Sequence, residues 1–484
     1  MSFGLRVRDL TRLAFQLGNN WITLAGAALT TSSAFVLVWL WFMELTGRPE
    51  QVNPYMGILL FAILPAIFVG GLLLIPLGIL RVRRLRRLAG EAPLPLQAVD
   101  FKQPSVRHLL TVVGILTFIN VSIMGTAVLK GTEYMDSNQF CGLTCHTVMR
   151  PEYTAFLDSP HSRVGCAQCH IGHGAPALVK AKISGIRQIF AVAFGTYSRP
   201  IPSPVEYLRP ARETCEQCHW PQKFTGNKLI IHTKYSEDEA NTPLTTVLLL
   251  KIGGHTPNGT TGIHGRHLDA MARITYLTTD RSRQEIPKVT YRQDDGTLVD
   301  YMTDDYKTMP KEKLDKASAR QMDCVDCHNR PSHAFMLPDR ALDKAIANNS
   351  MSPELPFLKK KALELLKVDY PDQKTAAAKI PVDLAEYYRT NYPEIYIKKR
   401  NQVNTACEVV KGIYLHNVFP DMKVTWGTHP NNIGHEDSVG CFRCHDGSHS
   451  SADGRTIKGD CDTCHDLLAQ DEKDPKILKE LGLK

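Results

Sequence analysis

Three long uncharged runs lie within the first 130 residues, and Cys-x-x-Cys-His recurs five times in the rest of the 484-residue chain. These two observations set the fold class. They predict a membrane-anchored multihaem cytochrome c with three N-terminal transmembrane helices, then a mainly α-helical and irregular periplasmic region packed around haem, with a small β-rich insertion. The runs exclude a simple cytosolic enzyme, and the apolar and aromatic residues recurring throughout exclude a disordered tail protein. The formal charge of +8 is not a nucleic-acid signal, because five of the positive charges lie between Arg81 and Arg87, beside an apolar run.

The uncharged runs cover residues 21–43, 54–80 and 109–129. Each is long enough to cross a hydrocarbon core of roughly 30 Å as a helix. A buried core helix is the bland alternative, but core helices are rarely uncharged over such lengths. A cleaved signal peptide is disfavoured, because the first run is too long and no small-residue cleavage site follows it. Arg6, Arg8 and Arg12 precede the first run, and Arg81, Arg83, Arg84, Arg86 and Arg87 separate the second from the third. Positive loops stay in the cytoplasm. The expected location is therefore the cell inner membrane, multi-pass, with a cytoplasmic N-terminus, a periplasmic haem region, and Trp39 and Trp41 at the outer interface.

The five Cys-x-x-Cys-His motifs are Cys166-Cys169-His170, Cys215-Cys218-His219, Cys324-Cys327-His328, Cys441-Cys444-His445 and Cys461-Cys464-His465. In c-type haem attachment, two thiols add to the vinyl groups and the adjacent His ligates the iron. A zinc site needs paired Cys-x-x-Cys units but no His after each pair, and a disulfide framework explains neither the histidines nor the spacing. A sixth site is read at Cys141-Gly-Leu-Thr-Cys145-His146, with one extra intervening residue. About six haems c then use twelve of the thirteen cysteines, and Cys407 is read as a buried free thiol.

Haem iron devoted to electron transfer takes two axial ligands. Besides the six motif histidines, eleven lie outside the membrane: His161, His173, His232, His255, His264, His267, His333, His416, His429, His435 and His449. The supply exceeds six distal positions, which favours low-spin wiring. Those beside a motif (His161, His173, His333, His435 and His449) are the preferred candidates, and His264 and His267 are available from the insertion. For each, a surface or hydrogen-bonded histidine is the bland alternative. Met149 is read either as a thioether ligand to the first haem or as a packing residue.

Phe140-Cys-Gly-Leu-Thr-Cys-His-Thr-Val-Met149, Ser159-Pro-His161 and Cys166-Ala-Gln-Cys-His170 resemble the NapC/NirT family of membrane-anchored quinol dehydrogenases, over roughly residues 109–225. The resemblance implies oxidation of membrane menaquinol or ubiquinol at the first haem. It also implies electron passage to a periplasmic cytochrome or reductase in anaerobic respiration, a quinol:cytochrome c oxidoreductase activity. It assigns a ligand role at the first haem to Met149 and a distal role to His161. It places a lysine near the quinol, for which Lys182 is the nearest match and Lys180 the fallback. A solvated or headgroup-facing lysine is the alternative for both. The family's usual member has one anchor and a short haem region; this chain is expected to be a long form with three spans.

Four regions follow: residues 1–130, the membrane domain; 131–225, a NapC/NirT-like triple-haem domain; 226–322, a β-rich insertion; and 323–484, a C-terminal three-haem helical region. In the insertion, 228–234, 245–252, 273–278 and 288–292 alternate or are β-branched, and Asp295-Gly296 signals a hairpin. Residues 338–418 turn to helical patterning punctuated by Pro356, Pro371 and Pro381, and the charged tail after Leu468 reads as a frayed helix. No phosphate-binding loop, dinucleotide fingerprint or hydrolytic triad appears. Two other functions compete. One is a terminal reductase of a small oxyanion with one open haem; the other is a non-catalytic membrane anchor and electron wire.

Overall fold

The computed structural model describes residues 20–46, 63–90, scattered positions between 104 and 130, and 131–483 apart from 145, 172–174, 206–209, 221–225, 257–258, 269–273 and 294. The chain divides into two units, Met1–His146 and Thr147–Lys484.

In the first unit, helices α1 (Trp21–Thr46) and α2 (Leu64–Leu88) pack against each other. Both carry apolar stretches long enough to cross a membrane. Their contact is made by small residues: a Cβ at Gly26 would lie 2.8 Å from the Gly71 carbonyl oxygen. Thr23 Oγ1 donates to the Ile75 carbonyl at 3.3 Å, in the turn before Pro76. Close backbone approach through small residues is how helices associate in lipid, where burying apolar surface brings no gain. Among the described residues there are two such helices rather than the three expected; the run at 109–129 falls largely outside them. The arginines from Arg81 to Arg87 do not form a loop. They continue α2 by two turns, since arginine is a good helix former.

The second unit begins with α3 (His146–Leu157) and the amphipathic α4 (Ala175–Ala193). An antiparallel sheet follows, ordered β1-β2-β9, from β1 (Lys228–Tyr235), β2 (Pro243–Leu250) and β9 (His465–Glu472). A small hairpin, β3 (Gly254–Thr256) and β4 (Gly259–Thr261), leads into the short helix α5 (Gly262–His267). A second antiparallel sheet is ordered β7-β6-β5-β8, from β5 (Ile274–Thr278), β6 (Lys288–Arg292), β7 (Leu298–Met302) and β8 (Ser318–Gln321). The Asp295-Gly296 turn joins β6 to β7, with Arg292 opposite Leu298 and Gly296 at φ 85°. This sheet buries Tyr276, Ile286 and Val289, with Cys444 and Ile457 packed against them. One of its faces therefore carries an attachment cysteine.

Helices α6 (Pro338–Ala347), α7 (Leu358–Leu366), α8 (Gln373–Asn391), α9 (Pro393–Lys398) and α10 (Arg400–Asn417) form a lobe with no haem motif. Its core holds Leu342, Ile346, Leu358, Leu366, Ile380, Leu384 and Val410, and Cys407 is buried among them. Burial pushes the Cys407 thiol up to about 11, as expected for an inert packing thiol. The tail is not a frayed helix: β9 pairs with β2, Leu250 opposite His465, before one turn at Lys476–Glu480. The strand starts at the last motif histidine, so sheet pairing fixes the backbone that carries it.

Candidate functional site

Each described motif folds as a tight turn. The His219 N–H donates to the Cys215 carbonyl at 2.8 Å, His328 to Cys324 at 2.8 Å, and His445 to Cys441 at 3.1 Å. A turn of this kind places both sulfurs on one side and sets the histidine beside them. At the earliest site, Phe140–Thr144 form a π-helical turn. A π turn holds one more residue than an α turn, so it absorbs the extra residue between Cys141 and Cys145. In the fourth Cys-x-x-Cys-His motif, Gly440 has φ 44° and Cys441 N donates to the Gly434 carbonyl at 2.9 Å. A Cβ on Gly440 would collide with that same carbonyl oxygen.

The histidine rings meet in pairs. His161 faces His219 with ring centroids 5.9 Å apart, and His170 faces His333 at 6.2 Å. His264 faces His328 at 6.4 Å, His267 faces His445 at 5.8 Å, and His435 faces His465 at 6.2 Å. Every pair joins one motif histidine to one from elsewhere in the chain. Two imidazoles on opposite sides of one metal, each with a metal–nitrogen bond of about 2 Å, hold their centroids roughly 6 Å apart. Helix α5 supplies two of the partners from one turn, His264 and His267, to two successive motifs.

Backbone carbonyls orient these rings. His161 Nδ1 donates to Pro331 O at 3.2 Å, His333 Nδ1 to Glu152 O at 3.0 Å, His267 Nδ1 to Ile263 O at 2.7 Å, and His445 Nδ1 to Lys458 O at 2.6 Å. A carbonyl only accepts, so the proton sits on Nδ1 and the Nε2 lone pair is left free, as in metal-ligating histidines. Burial lowers the pKa of His170, His264, His267 and His328, and the facing or nearby histidine lowers it further. Among the described residues no three His, Cys, Asp or Glu converge to hold a metal ion by themselves. Two facing imidazoles beside two thiols suit haem and do not suit zinc.

Successive motifs touch. The thiols of Cys215 and Cys324 hydrogen-bond each other, which lowers the Cys215 pKa to about 6 and raises that of Cys324. Asp323 joins the same two motifs: Oδ1 accepts from Cys324 N and Oδ2 from Ala211 N, both at 2.7 Å. Burial pushes the Cys327 thiol up to about 11 and the Cys444 thiol to about 12; the Cys441 thiol adds to the first and the Cys327 thiol to the second.

The remaining sequence candidates sit elsewhere. His449 is 1% exposed, with Nε2 on the Ile286 carbonyl at 2.7 Å and Nδ1 on Asp446 Oδ1 at 3.3 Å. Met149 packs against the cluster of Val148, Phe419, Met422 and Val424. Lys182 lies on α4. The side chains of Cys145, His146 and Lys182, and the whole of His173, fall outside the described residues. His429 stacks on Phe335 with centroids 5.8 Å apart, and burial beside Arg330 pushes its pKa down to about 4. Sequence reasoning missed the charged residues inside the motifs, Asp326 and Arg443; their only signal was charge at a position usually indifferent to it.

Residues 103–201 match the model of the NapC/NirT cytochrome c family, N-terminal region. That segment contains the first two attachment motifs and His161. The chain is also 42% identical over 466 residues to the cytochrome c-type protein ImcH of Geobacter sulfurreducens (strain ATCC 51573 / DSM 12127 / PCA), covering 95% of this chain and 91% of that protein. The chain belongs to the NapC/NirT cytochrome c family. No solved structure matches it. As a NapC/NirT cytochrome it is a multihaem electron-transport protein with membrane helices. The family model ends before Cys215, so the facing histidines of the later motifs are described by this chain's own geometry.

Proposed function

We propose that this NapC/NirT cytochrome takes electrons from membrane menaquinol or ubiquinol and passes them through about six c-type haems to a periplasmic cytochrome or reductase. The observation that carries the reading is the set of five facing histidine pairs. Two strong-field ligands per iron at these five sites suit one-electron transfer and leave no open position there for a small oxyanion. When bound, each haem supplies a one-electron couple; the chain fixes spacing, ligation and polarity.

The ligand sets are His170 with His333, His219 with His161, His328 with His264, His445 with His267, and His465 with His435. Cys166, Cys169, Cys215, Cys218, Cys324, Cys327, Cys441, Cys444, Cys461 and Cys464 attach these haems, and Cys141 and Cys145 attach the first, with His146 or Met149 as its ligand. His449, with both ring nitrogens engaged by Ile286 and Asp446, is left out as a structural histidine.

The quinol side of the reading is supported by α4. Ile183, Ile186, Ile189 and Phe190 are all exposed along it, and the segment also carries Lys180, Lys182 and Arg187 with no acidic residue. An apolar stripe beside cations suits a membrane interface. There Lys182 binds the quinol oxygen and favours its deprotonation, and the two protons released pass to the periplasm. The arginine-rich end of α2 keeps that end of the helix cytoplasmic.

The test is anaerobic reduction of the full chain in detergent by a menaquinol analogue, followed by visible and EPR spectra. Rapid, inhibitor-sensitive growth of reduced c-type bands with only low-spin ferric signals is expected. Reduction by dithionite alone would overturn the quinol reading, and a high-spin haem that binds nitrite would overturn the relay in favour of a reductase. Lys182→Gln is expected to slow the quinol-driven rate by about tenfold and leave the dithionite-reduced spectrum unchanged.

A further inference from the structure

We propose that a charge cluster built on the buried Asp326 and the half-buried Arg443 sets the reduction potentials of the two haems attached at Cys324/Cys327 and Cys441/Cys444, the carboxylate lowering them and the guanidinium raising them. The inference rests on the haem reading above and goes beyond it by assigning a tuning role to residues inside the motifs.

Asp326 lies between Cys324 and Cys327 and is 1% exposed. Its Oδ1 accepts from Tyr276 Oη at 2.7 Å, Arg320 Nε at 2.8 Å and Arg283 Nη1 at 3.0 Å. Its Oδ2 accepts from Asp323 N at 2.7 Å. Arg443 lies between Cys441 and Cys444 and spans the two motifs. Its Nη2 donates to the Asp326 carbonyl at 2.6 Å, its Nη1 to the Arg283 carbonyl at 2.9 Å and its Nε to Gly440 O at 2.8 Å. Asn432 Nδ2 adds a bond to the Asp326 carbonyl at 3.3 Å. The charged groups facing one another are the carboxylates of Asp323 and Asp326 and the guanidinium groups of Arg283, Arg320 and Arg443.

Arg443 lends its whole fork to backbone carbonyls and, among the described residues, pairs with no carboxylate, so its charge is available to the surroundings. A buried charge is weakly screened and acts strongly on a neighbouring redox centre. Oxidation of haem adds positive charge, so a nearby carboxylate favours the ferric state and a guanidinium the ferrous state. The link between the two sites is the guanidinium of Arg443, which sits in one motif and donates to the Asp326 carbonyl in the other. Hydrogen bonding holds these groups in place, and the sign of each charge fixes the direction in which it acts.

The test is a spectroelectrochemical titration of the full chain in detergent, with EPR of each variant. Asp326→Asn is expected to raise the potential of at least one haem. Arg443→Gln is expected to lower one, by about tenfold in the ferrous-to-ferric ratio at the wild-type midpoint, about 59 mV for one electron. Arg443→Lys keeps the charge and is expected to stay near wild type. If Asp326→Asn does not load haem, Tyr276→Phe, which leaves the carboxylate less compensated, is expected to lower the potential instead. A common sign for the Asp326→Asn and Arg443→Gln shifts, a rise for Tyr276→Phe, or no shift in any of them, with both of these haems low-spin, would overturn the tuning role. High-spin iron at either of these two sites in the wild type would instead overturn the ligand reading.

Discussion

His267→Ala is expected to turn one haem high-spin, whereas His449→Ala leaves them all low-spin. His449 is buried and His267 half-buried, and both follow naturally from a reading that favours histidines near motifs or in the insertion. The geometry separates them. His267 faces His445 across 5.8 Å, with its Nδ1 held by the Ile263 carbonyl, so its Nε2 points into the gap between the rings. His449 has its Nε2 on the Ile286 carbonyl. Removal of a distal imidazole leaves a five-coordinate iron, so His267→Ala should give a high-spin ferric EPR signal integrating to about one sixth of the iron if about six haems are present. His264→Ala should give an equal signal from the site of His328, and the double variant about twice as much, since the proposed ligation gives the two rings different irons. His449→Ala should instead lower the denaturation midpoint, by roughly 1–3 kcal/mol for a buried carbonyl left without its donor. A high-spin signal from His449→Ala, or none from His267→Ala, would sink the assignment.

What the sequence showed and what it hid divide along physical lines. The Cys-x-x-Cys-His motifs stand out in the sequence because covalent haem attachment demands fixed spacing. Strands β1, β2, β5 and β6 were legible because each alternates or is rich in β-branched residues, and the β6–β7 hairpin because Asp295-Gly296 suits a positive φ. Strand β8, Ser-Ala-Arg-Gln, is mostly exposed and polar, so nothing in it announces a strand; pairing with β5 imposes it. Strand β9 was misread for the same reason, its charges suggesting a solvated tail while β2 supplies the partner. The histidine inventory was legible as a surplus, but the pairing was not. His333 comes after the third Cys-x-x-Cys-His motif yet faces the histidine of the first, and only tertiary structure creates that crossing. Asp326 and Arg443 were invisible because a residue inside a motif carries no periodic signal, and their roles arise from contacts with Tyr276, Arg283 and Arg320 on distant segments.

Lys359→Met is expected to destabilise the haem-free helical lobe by about 3–5 kcal/mol and to leave the visible spectrum unchanged. Lys359 Nζ lies 2.6 Å from Asp343 Oδ1, and the two side chains are only 8% and 5% exposed. The same oxygen accepts from Tyr235 N at 2.9 Å, so Asp343 ties α6 to β1 as well as to α7. Around the pair lie Leu342, Ile346, Leu358 and Ala362, which provide no alternative partner for a charge. Methionine fills the lysine's volume but leaves Asp343 buried without its cation, so the loss is electrostatic and not a cavity. Asp343→Leu combined with Lys359→Met should recover much of it, because an apolar pair removes the uncompensated charge. The recovery should stop roughly 1–3 kcal/mol short of wild type, since the Tyr235 N–H then loses its acceptor. Chemical denaturation followed by far-UV circular dichroism reads the loss, and the haem bands report separately, because the lobe carries none of the attachment motifs. A Lys359→Met midpoint equal to wild type, or a double variant weaker than the single one, would show that the pair does not hold the lobe to the sheet.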